Sequence, residues 1–345
     1  MNVLSLFDGM SCGQIALNKA GIEYDNYYAS EIDKYAIQVT KDNFPNTVHL
    51  GDVTKIDFKA LPKIDLLIGG SPCQGFSFAG KQLNFNDPRS ALFFEYVRAL
   101  KELKPKWFLL ENVRMKKEFE NVISEQLGVM PILINSSLVS AQNRNRLYWT
   151  NISGATQPED KKIYLKDIIE ELPINPVLLS DSTYKRFKGY GVKILTGDEL
   201  KARCLSAMEY VKNGKQGNYL LINPKYFKGT TIEHLLNKRR SEVVHEPSDK
   251  PIRLGALSKS MGSRVYHESG KSICISAQGG GWGAKTGLYH DDYCIRKLTP
   301  LECKRLQTVP DDYRMNVSNT QAYKMLGNGW TVDVIAHIFK NILNG

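Results

Sequence analysis

Apolar and polar positions follow two rhythms along the first half of the chain. Short apolar runs at 2–7, 27–32, 48–50, 65–68, 107–110 and 132–136 have the length of buried strands. Between them, 12–20, 34–43, 90–103 and 116–127 carry their apolar residues at helical spacing. Turn residues such as Asp8-Gly9-Met10-Ser11 mark the joints. Strand alternating with helix predicts an α/β fold built on a parallel, doubly wound sheet. A further run at 146–152 is expected as a last strand, pairing antiparallel at an edge.

From about residue 164 the rhythm breaks. Pro173, Pro176, Pro224, Pro247 and Pro251 punctuate the chain, and glycines gather at Gly279-Gly280-Gly281 and Gly283. Short strand-like runs at 219–222 and 273–276 alternate with polar turns, which predicts a smaller, irregular domain of β structure and loops. Helical patterns return at 300–306 and 331–343. The length of 345 residues suits two domains. No run approaches the ~20 apolar residues of a membrane span. The N-terminus has no basic leader and Asp8 interrupts its apolar run, so a soluble, cytoplasmic protein is expected.

Charge sharpens this division. The net charge is +10, and residues 161–300 carry 24 Lys and Arg against 14 Asp and Glu, while the remainder is balanced. A basic segment beside a neutral one reads as a polyanion-binding module next to a catalytic one. The alternative is a lysine-rich surface that serves solubility. Lys185, Arg186, Lys238, Arg239 and Arg240 are the candidate phosphate contacts.

Cysteine usage points to chemistry at one position. Cys12, Cys73, Cys204, Cys274, Cys294 and Cys303 form no C-x-x-C pair, and with six histidines neither a structural zinc nor a disulfide framework is expected. Cys73 differs in its setting: Ser71-Pro72-Cys73-Gln74 ends the apolar run at 64–70, where a buried strand emerges at the rim of a sheet. A thiol there is a candidate nucleophile if its surroundings favour the thiolate; otherwise it is a small buried hydrophobe. The segment 74–89 that follows is a candidate lid.

Other strand ends carry further candidates. Glu31 and Asp33 follow the second strand and Asp52 the third, places where acids commonly grip an adenosine-bearing cofactor. Glycine spacing in the first turn is not G-x-G-x-x-G, which disfavours a nicotinamide dinucleotide. Glu111 follows the strand at 107–110, on the same rim as Cys73. In Gln142-Asn143-Arg144-Asn145-Arg146, an extended backbone places Gln142, Arg144 and Arg146 on one face, suited to an anionic or carbonyl-bearing ligand.

Taken together, the blocks at 6–13, 71–77, 111–113, 142–146, 296–313 and 322–332 resemble those of DNA cytosine-5 methyltransferases, of bacterial or phage type, through nearly the whole chain. The resemblance implies a Rossmann-like class I fold using S-adenosylmethionine, leaving S-adenosylhomocysteine. Residues 1–163 plus 320–345 would form the catalytic domain and 164–319 a target-recognition domain. Cys73 matches the family's nucleophile, Glu111 its ring-activating acid, and Arg144 and Arg146 its catalytic arginines. Phe7, Gly9, Glu31, Ile32, Asp52, Val53, Pro72 and Asn328 match cofactor contacts, with no metal site. Met10-Ser11-Cys12 departs from the family's tighter glycine cluster.

Carbon 5 of cytosine is a poor nucleophile. A thiolate added at carbon 6 turns the ring into an enamine whose carbon 5 attacks a methyl donor, and the base must first leave the duplex stack. Double-stranded DNA is the expected partner, with a cognate restriction endonuclease as a further candidate and a monomer as the working unit. Alternatives are methylation of RNA by the same blocks, a DNA-binding protein without catalysis, and a NAD-dependent dehydrogenase.

Overall fold

A computed structural model describes residues 1–72, 88–170, 219–220, 245–256, 262, 264–277, 285–291, 294–296 and 298–344. Cys73 and Cys204, the 74–87 part of the candidate lid, the five basic residues named above and the glycines at 279–283 lie outside them.

The larger sheet has seven strands: β1 (Asn2–Leu6), β2 (Asn26–Ser30), β3 (Val48–His49), β4 (Leu66–Gly69), β5 (Trp107–Val113), β6 (Ile132–Asn135) and β7 (Asn145–Thr150). Their order is β3-β2-β1-β4-β5-β7-β6, parallel except for β7. Helices α1 (Cys12–Ala20), α2 (Lys34–Asn43), α3 (Pro88–Leu103) and α4 (Lys117–Leu127) connect the strands. Two of these bounds, α1 and α2, coincide with the predicted ones.

Alternation along each strand divides the core in two. Val3, Leu66, Ile68 and Leu109 face one apolar layer, while Leu4, Leu67, Phe108 and Leu110 face the other. Successive side chains of a strand point to opposite sides, so a sheet covered on both faces reads as a continuous apolar run. The first layer holds α1 and α7 (Val332–Phe339), the second α3 and α4.

The expectation of an edge strand at 146–152 is corrected: β7 lies inside the sheet, between β5 and β6, and β6 takes the edge. Leu147, Tyr148 and Trp149 are all buried, which a central strand requires and an edge strand does not. Because β7 runs antiparallel, its first residues reach the same rim as the last residues of β4 and β5; Arg146 is the register partner of Val113.

The second sheet has order β8-β12-β11-β10-β9, built from β8 (Tyr219–Leu220), β9 (Ile252–Ala256), β10 (Arg264–His267), β11 (Leu288–Asp291) and β12 (Cys294–Arg296). The run at 273–276 is not one of its strands. It is an extended crossing segment, introduced by a bridge between Gln142 and Ser272. Tyr266, Ile275 and Tyr289 join the same apolar cluster as Val3 and Ile15, as do Leu298, Cys303 and Leu306.

The chain then forms α5 (Pro300–Leu306), α6 (Asn319–Asn328) and α7. Thr299 and Glu302 make a reciprocal capping box with Pro300 in the first turn, which fixes where α5 begins. Among the described residues no helix is long and apolar enough to cross a membrane.

Candidate active site

Chain order reverses at β1, flanked by β2 and β4, and such a switch point opens a crevice at the C-terminal ends of the strands. Two groups of predicted residues lie along that rim.

The first group surrounds the β1–α1 turn. Phe7, Gly9 and Ser11 have φ of 60°, 61° and 59°, a left-handed run that only Gly9 adopts without strain. Gly9 N–H donates to Glu31 Oε2 at 2.8 Å, and the amides of Ile32 and Asp33 donate to Glu31 Oε1 at 2.7 and 2.8 Å. The carboxylate at the end of β2 thus clips the turn in place. Nothing lies within 4 Å of where a Cβ on Gly9 would stand, so the backbone faces open space. Ile32 beside it is 76% exposed, an apolar surface with no protein covering it. Asp52 Oδ1 accepts from the amide and hydroxyl of Thr54. Val53 is buried, and Asn328 ends α6 exposed.

The departure at Met10-Ser11-Cys12 has a structural reason. Met10 and Cys12 turn their side chains into the core, and burial pushes the Cys12 thiol up to about 12, leaving it unreactive. Gly13 has no room for a side chain: a Cβ would stand 2.5 Å from both Ile68 Cδ1 and the Tyr27 hydroxyl. Asp8 accepts from the Tyr27 hydroxyl at 2.7 Å, and its burial raises the carboxyl to about 6.

These features fit an adenosine-bearing cofactor. A carboxylate stands at the end of β2 with the uncovered Ile32 next to it, a second follows β3, and the backbone faces open space at Gly9 and at Gly51.

The second group lies at the ends of β4, β5 and β7. Glu111 on β5 is 7% exposed, and Arg146 Nε approaches its Oε1 to 3.0 Å. Burial lowers the guanidinium's pKa, but the facing Glu111 and Cys274 more than reverse this, so the net shift is upward. Glu111 also raises the already buried Tyr148 phenol. Gly70, three residues before Cys73, brings the β4 backbone against the pair. A Cβ there would be 3.2 Å from Glu111 Oε2 and 3.1 Å from Trp330 Nε1.

Arg144 is placed differently. It is 2% exposed and donates to Gly327 O at 3.2 Å, Gly329 O at 2.9 Å, Ile275 O at 3.4 Å and Cys274 Sγ at 3.4 Å. Gln142, fully buried, donates to Leu306 O and accepts from Ile275 N. The alternating face therefore splits: Gln142 and Arg144 tie the crossing segment to α5 and α6, and Arg146 alone reaches Glu111.

Three residues with a part in this arrangement were missed in the sequence. Asn112 Nδ2 donates to the carbonyl and hydroxyl of Ser71, both at 3.3 Å, and so anchors the strand end that leads to Cys73. Its place beside Glu111 was the available signal. Gly327 lies so close to the crossing segment that a Cβ would come within 2.2 Å of Ala277 N. Cys274, between the two arginines, carried no sequence signal.

Comparison with known proteins agrees with this geometry. A family model described as C-5 cytosine-specific DNA methylase matches residues 1–344. The type II methyltransferase M.HhaI of Haemophilus parahaemolyticus is 30% identical over 99% of this chain and 94% of its own length. The orphan methyltransferase M.SPRI of Bacillus phage SPR is 30% identical over 100% of this chain and 98% of its own. Among solved structures, the Entamoeba histolytica methyltransferase EhMeth shares the fold with a TM-score of 0.64 at 15% identity, covering 100% of this chain and 98% of that one. The chain belongs to the C-5 cytosine-specific DNA methylase family and is a DNA cytosine-5 methyltransferase.

Proposed function

We propose that Cys73 adds to carbon 6 of a flipped-out cytosine in double-stranded DNA, with Glu111 and Arg146 binding the ring edge while carbon 5 is methylated; loss of the carbon 5 proton to a base then expels the Cys73 thiolate and restores the aromatic ring. The observation that carries this reading is the buried Glu111–Arg146 pair, 3.0 Å apart, against the strand end that leads to Cys73. Glu111 accepts from the exocyclic amine and shares a proton with ring nitrogen 3, where charge develops as the thiolate adds. Arg146 donates to the ring carbonyl. Arg144 holds the crossing segment against α6, so that its contribution to catalysis runs through the shape of the pocket.

S-adenosylmethionine, when bound, supplies an electrophilic methyl on a sulfonium. Glu31 would hold the ribose hydroxyls, Asp52 the adenine amine and Ile32 the adenine face. Phe7, Gly9, Val53, Pro72 and Asn328 would line the remainder. The catalytic domain comprises 1–163 and 320–345, and 164–319 reads the target, with α5 packed into the catalytic core as the joint between them. The enzyme works in the cytoplasm as a monomer on nucleoid DNA, and a cognate restriction endonuclease would share its target.

Incubation with methyl-labelled cofactor and a mixed-sequence duplex is expected to place label on carbon 5 of cytosine. Absence of label in DNA that the protein binds would overturn the reading. Cys73→Ala is expected to retain DNA binding and lose transfer; sustained turnover in that variant would exclude the covalent route.

A further inference from the structure

Cys274 lies where the crossing segment meets the ring-binding pair. Its Sγ accepts from Arg144 Nη1 at 3.4 Å and from Arg146 Nη2 at 3.9 Å, and donates to Ile275 O at 3.4 Å. The other nitrogens of Arg146 are also directed: Nη1 donates to Asn145 O at 2.8 Å, and Nε stands 3.0 Å from Glu111 Oε1. Yet Glu111 Oε1 is buried and has no hydrogen bond among the described residues. Charge faces charge at contact distance, but the N–H does not point at the oxygen.

A guanidinium is a rigid planar fork, so aiming two of its nitrogens fixes the direction of the third. The geometry points to Cys274 as a positioning residue: its sulfur, together with the Asn145 carbonyl, holds Arg146 off the hydrogen-bonding line of Glu111. Oε1 is thereby desolvated and counter-charged but left open to a donor on the substrate base. The inference rests on the reading of Glu111 as the ring-binding acid.

The side chain suits the task because its pull is intermediate. Burial pushes the Cys274 thiol up, but Arg144 and Arg146 bring it below its ordinary value, and the sulfur offers both guanidiniums a weak acceptor. A carboxylate here would compete with Glu111 for Arg146 outright. A methyl group would release Arg146 to close a full hydrogen bond on Oε1, which the base would then have to break. Cys12 makes the contrast: its thiol faces the core, and burial outweighs the weaker pull of Arg144, so its pKa is raised.

The test is single-turnover methyl transfer by the full-length protein on a mixed-sequence duplex. Cys274→Ala is expected to lower the transfer rate about tenfold, the equivalent of about 1.4 kcal/mol. KM for DNA and for S-adenosylmethionine should stay within about twofold, since neither is bound through Cys274. Cys274→Ser, which keeps an acceptor, should recover most of the rate.

The deciding measurement is the double-mutant cycle with Glu111→Gln. Without a carboxylate for Arg146 to capture, Cys274→Ala should cost nothing further. Equal losses in the two backgrounds would assign Cys274 a merely structural role and overturn the inference, as would an unimpaired Cys274→Ala beside an impaired Glu111→Gln. A Glu111→Gln enzyme with full rate would instead remove the ring-binding reading itself.

Discussion

The two ends of the catalytic rim are built by opposite means. Around Gly9 the work is done by backbone: a left-handed turn, amides clipped by Glu31, and side chains such as Ile32 left uncovered. Around Glu111 it is done by buried side chains whose charges have been taken out of water and set against one another. Desolvated charges interact strongly but tolerate little displacement, whereas an open backbone cradle loses only what its own strain costs. Substitutions at the second end should therefore change rate or stability steeply, and those at the first should change affinity mildly.

The sharpest division falls within the second end, between two arginines two residues apart. Arg146→Lys keeps a positive charge beside the buried Glu111 but loses the planar fork of donors, so turnover should fall about 10²-fold while the melting temperature stays near that of the parent. Arg144→Met should do the reverse. It strands the carbonyl of Gly327 in the interior and leaves that of Gly329 to Gln307 alone, costing on the order of 1–3 kcal/mol of stability. Urea unfolding beside single-turnover kinetics separates the two. Equal effects in both assays for both variants would erase the distinction between a ring-binding and a tethering arginine.

The first end holds one exception to its openness, Asp8, enclosed by Ser5, Ser11 and Tyr27. Burial raises its carboxyl from 3.8 to about 6, against the pull of those hydrogen bonds. Between these values the native state holds a proton that the unfolded chain has released. Stability from this group is thus full below about pH 4 and is lost as pH rises through about 6. Asp8→Asn removes the dependence. Its stability relative to the parent should be greater at pH 8 than at pH 4, by on the order of 2 kcal/mol. A difference that is flat with pH would show that Asp8 titrates normally.

How far the sequence was legible follows the same division. Strand ends with glycine and acid announce themselves because a tight turn and a capping carboxylate require those residue types; α1, α2 and α5 were read to the residue. The place of β7 was not read, although the buried run Leu147-Tyr148-Trp149 belongs to a central strand, because pairing partners are not local. The short strands of the second sheet are interrupted by Gly255, Arg253 and a bulge between Val265 and Tyr266, which blur the two-residue period. Helix α6 escaped because its sequence ends in Gly327-Asn328-Gly329, which reads as a turn. Glu111 and Arg146 were each named as site residues without their pairing, and Arg144 and Cys274 take their partners from segments more than a hundred residues distant, which no local pattern records.

The mildest prediction tests whether the open space at Gly9 belongs to a ligand. Two glycines offer a matched pair: Gly9 with φ of 61° and Gly21 with φ of 71°, each with nothing within 4 Å of the position of a Cβ. Alanine at either site carries the left-handed backbone cost, about 1 kcal/mol, and neither meets a clash. Gly21 caps the end of α1, where its amide donates to Asn18 and Leu17, and borders no candidate site residue. Gly9 stands between Phe7 and Glu31 at the switch point. Both variants should lose the same small amount of stability. Only Gly9→Ala should also raise Kd for S-adenosylmethionine, by about tenfold if the methyl group occupies room the cofactor needs. Isothermal titration of both variants measures the difference directly. Equal affinities would mean that the empty space beside Gly9 is solvent, and that the carboxylates of Glu31 and Asp52 hold their ligand elsewhere along the rim.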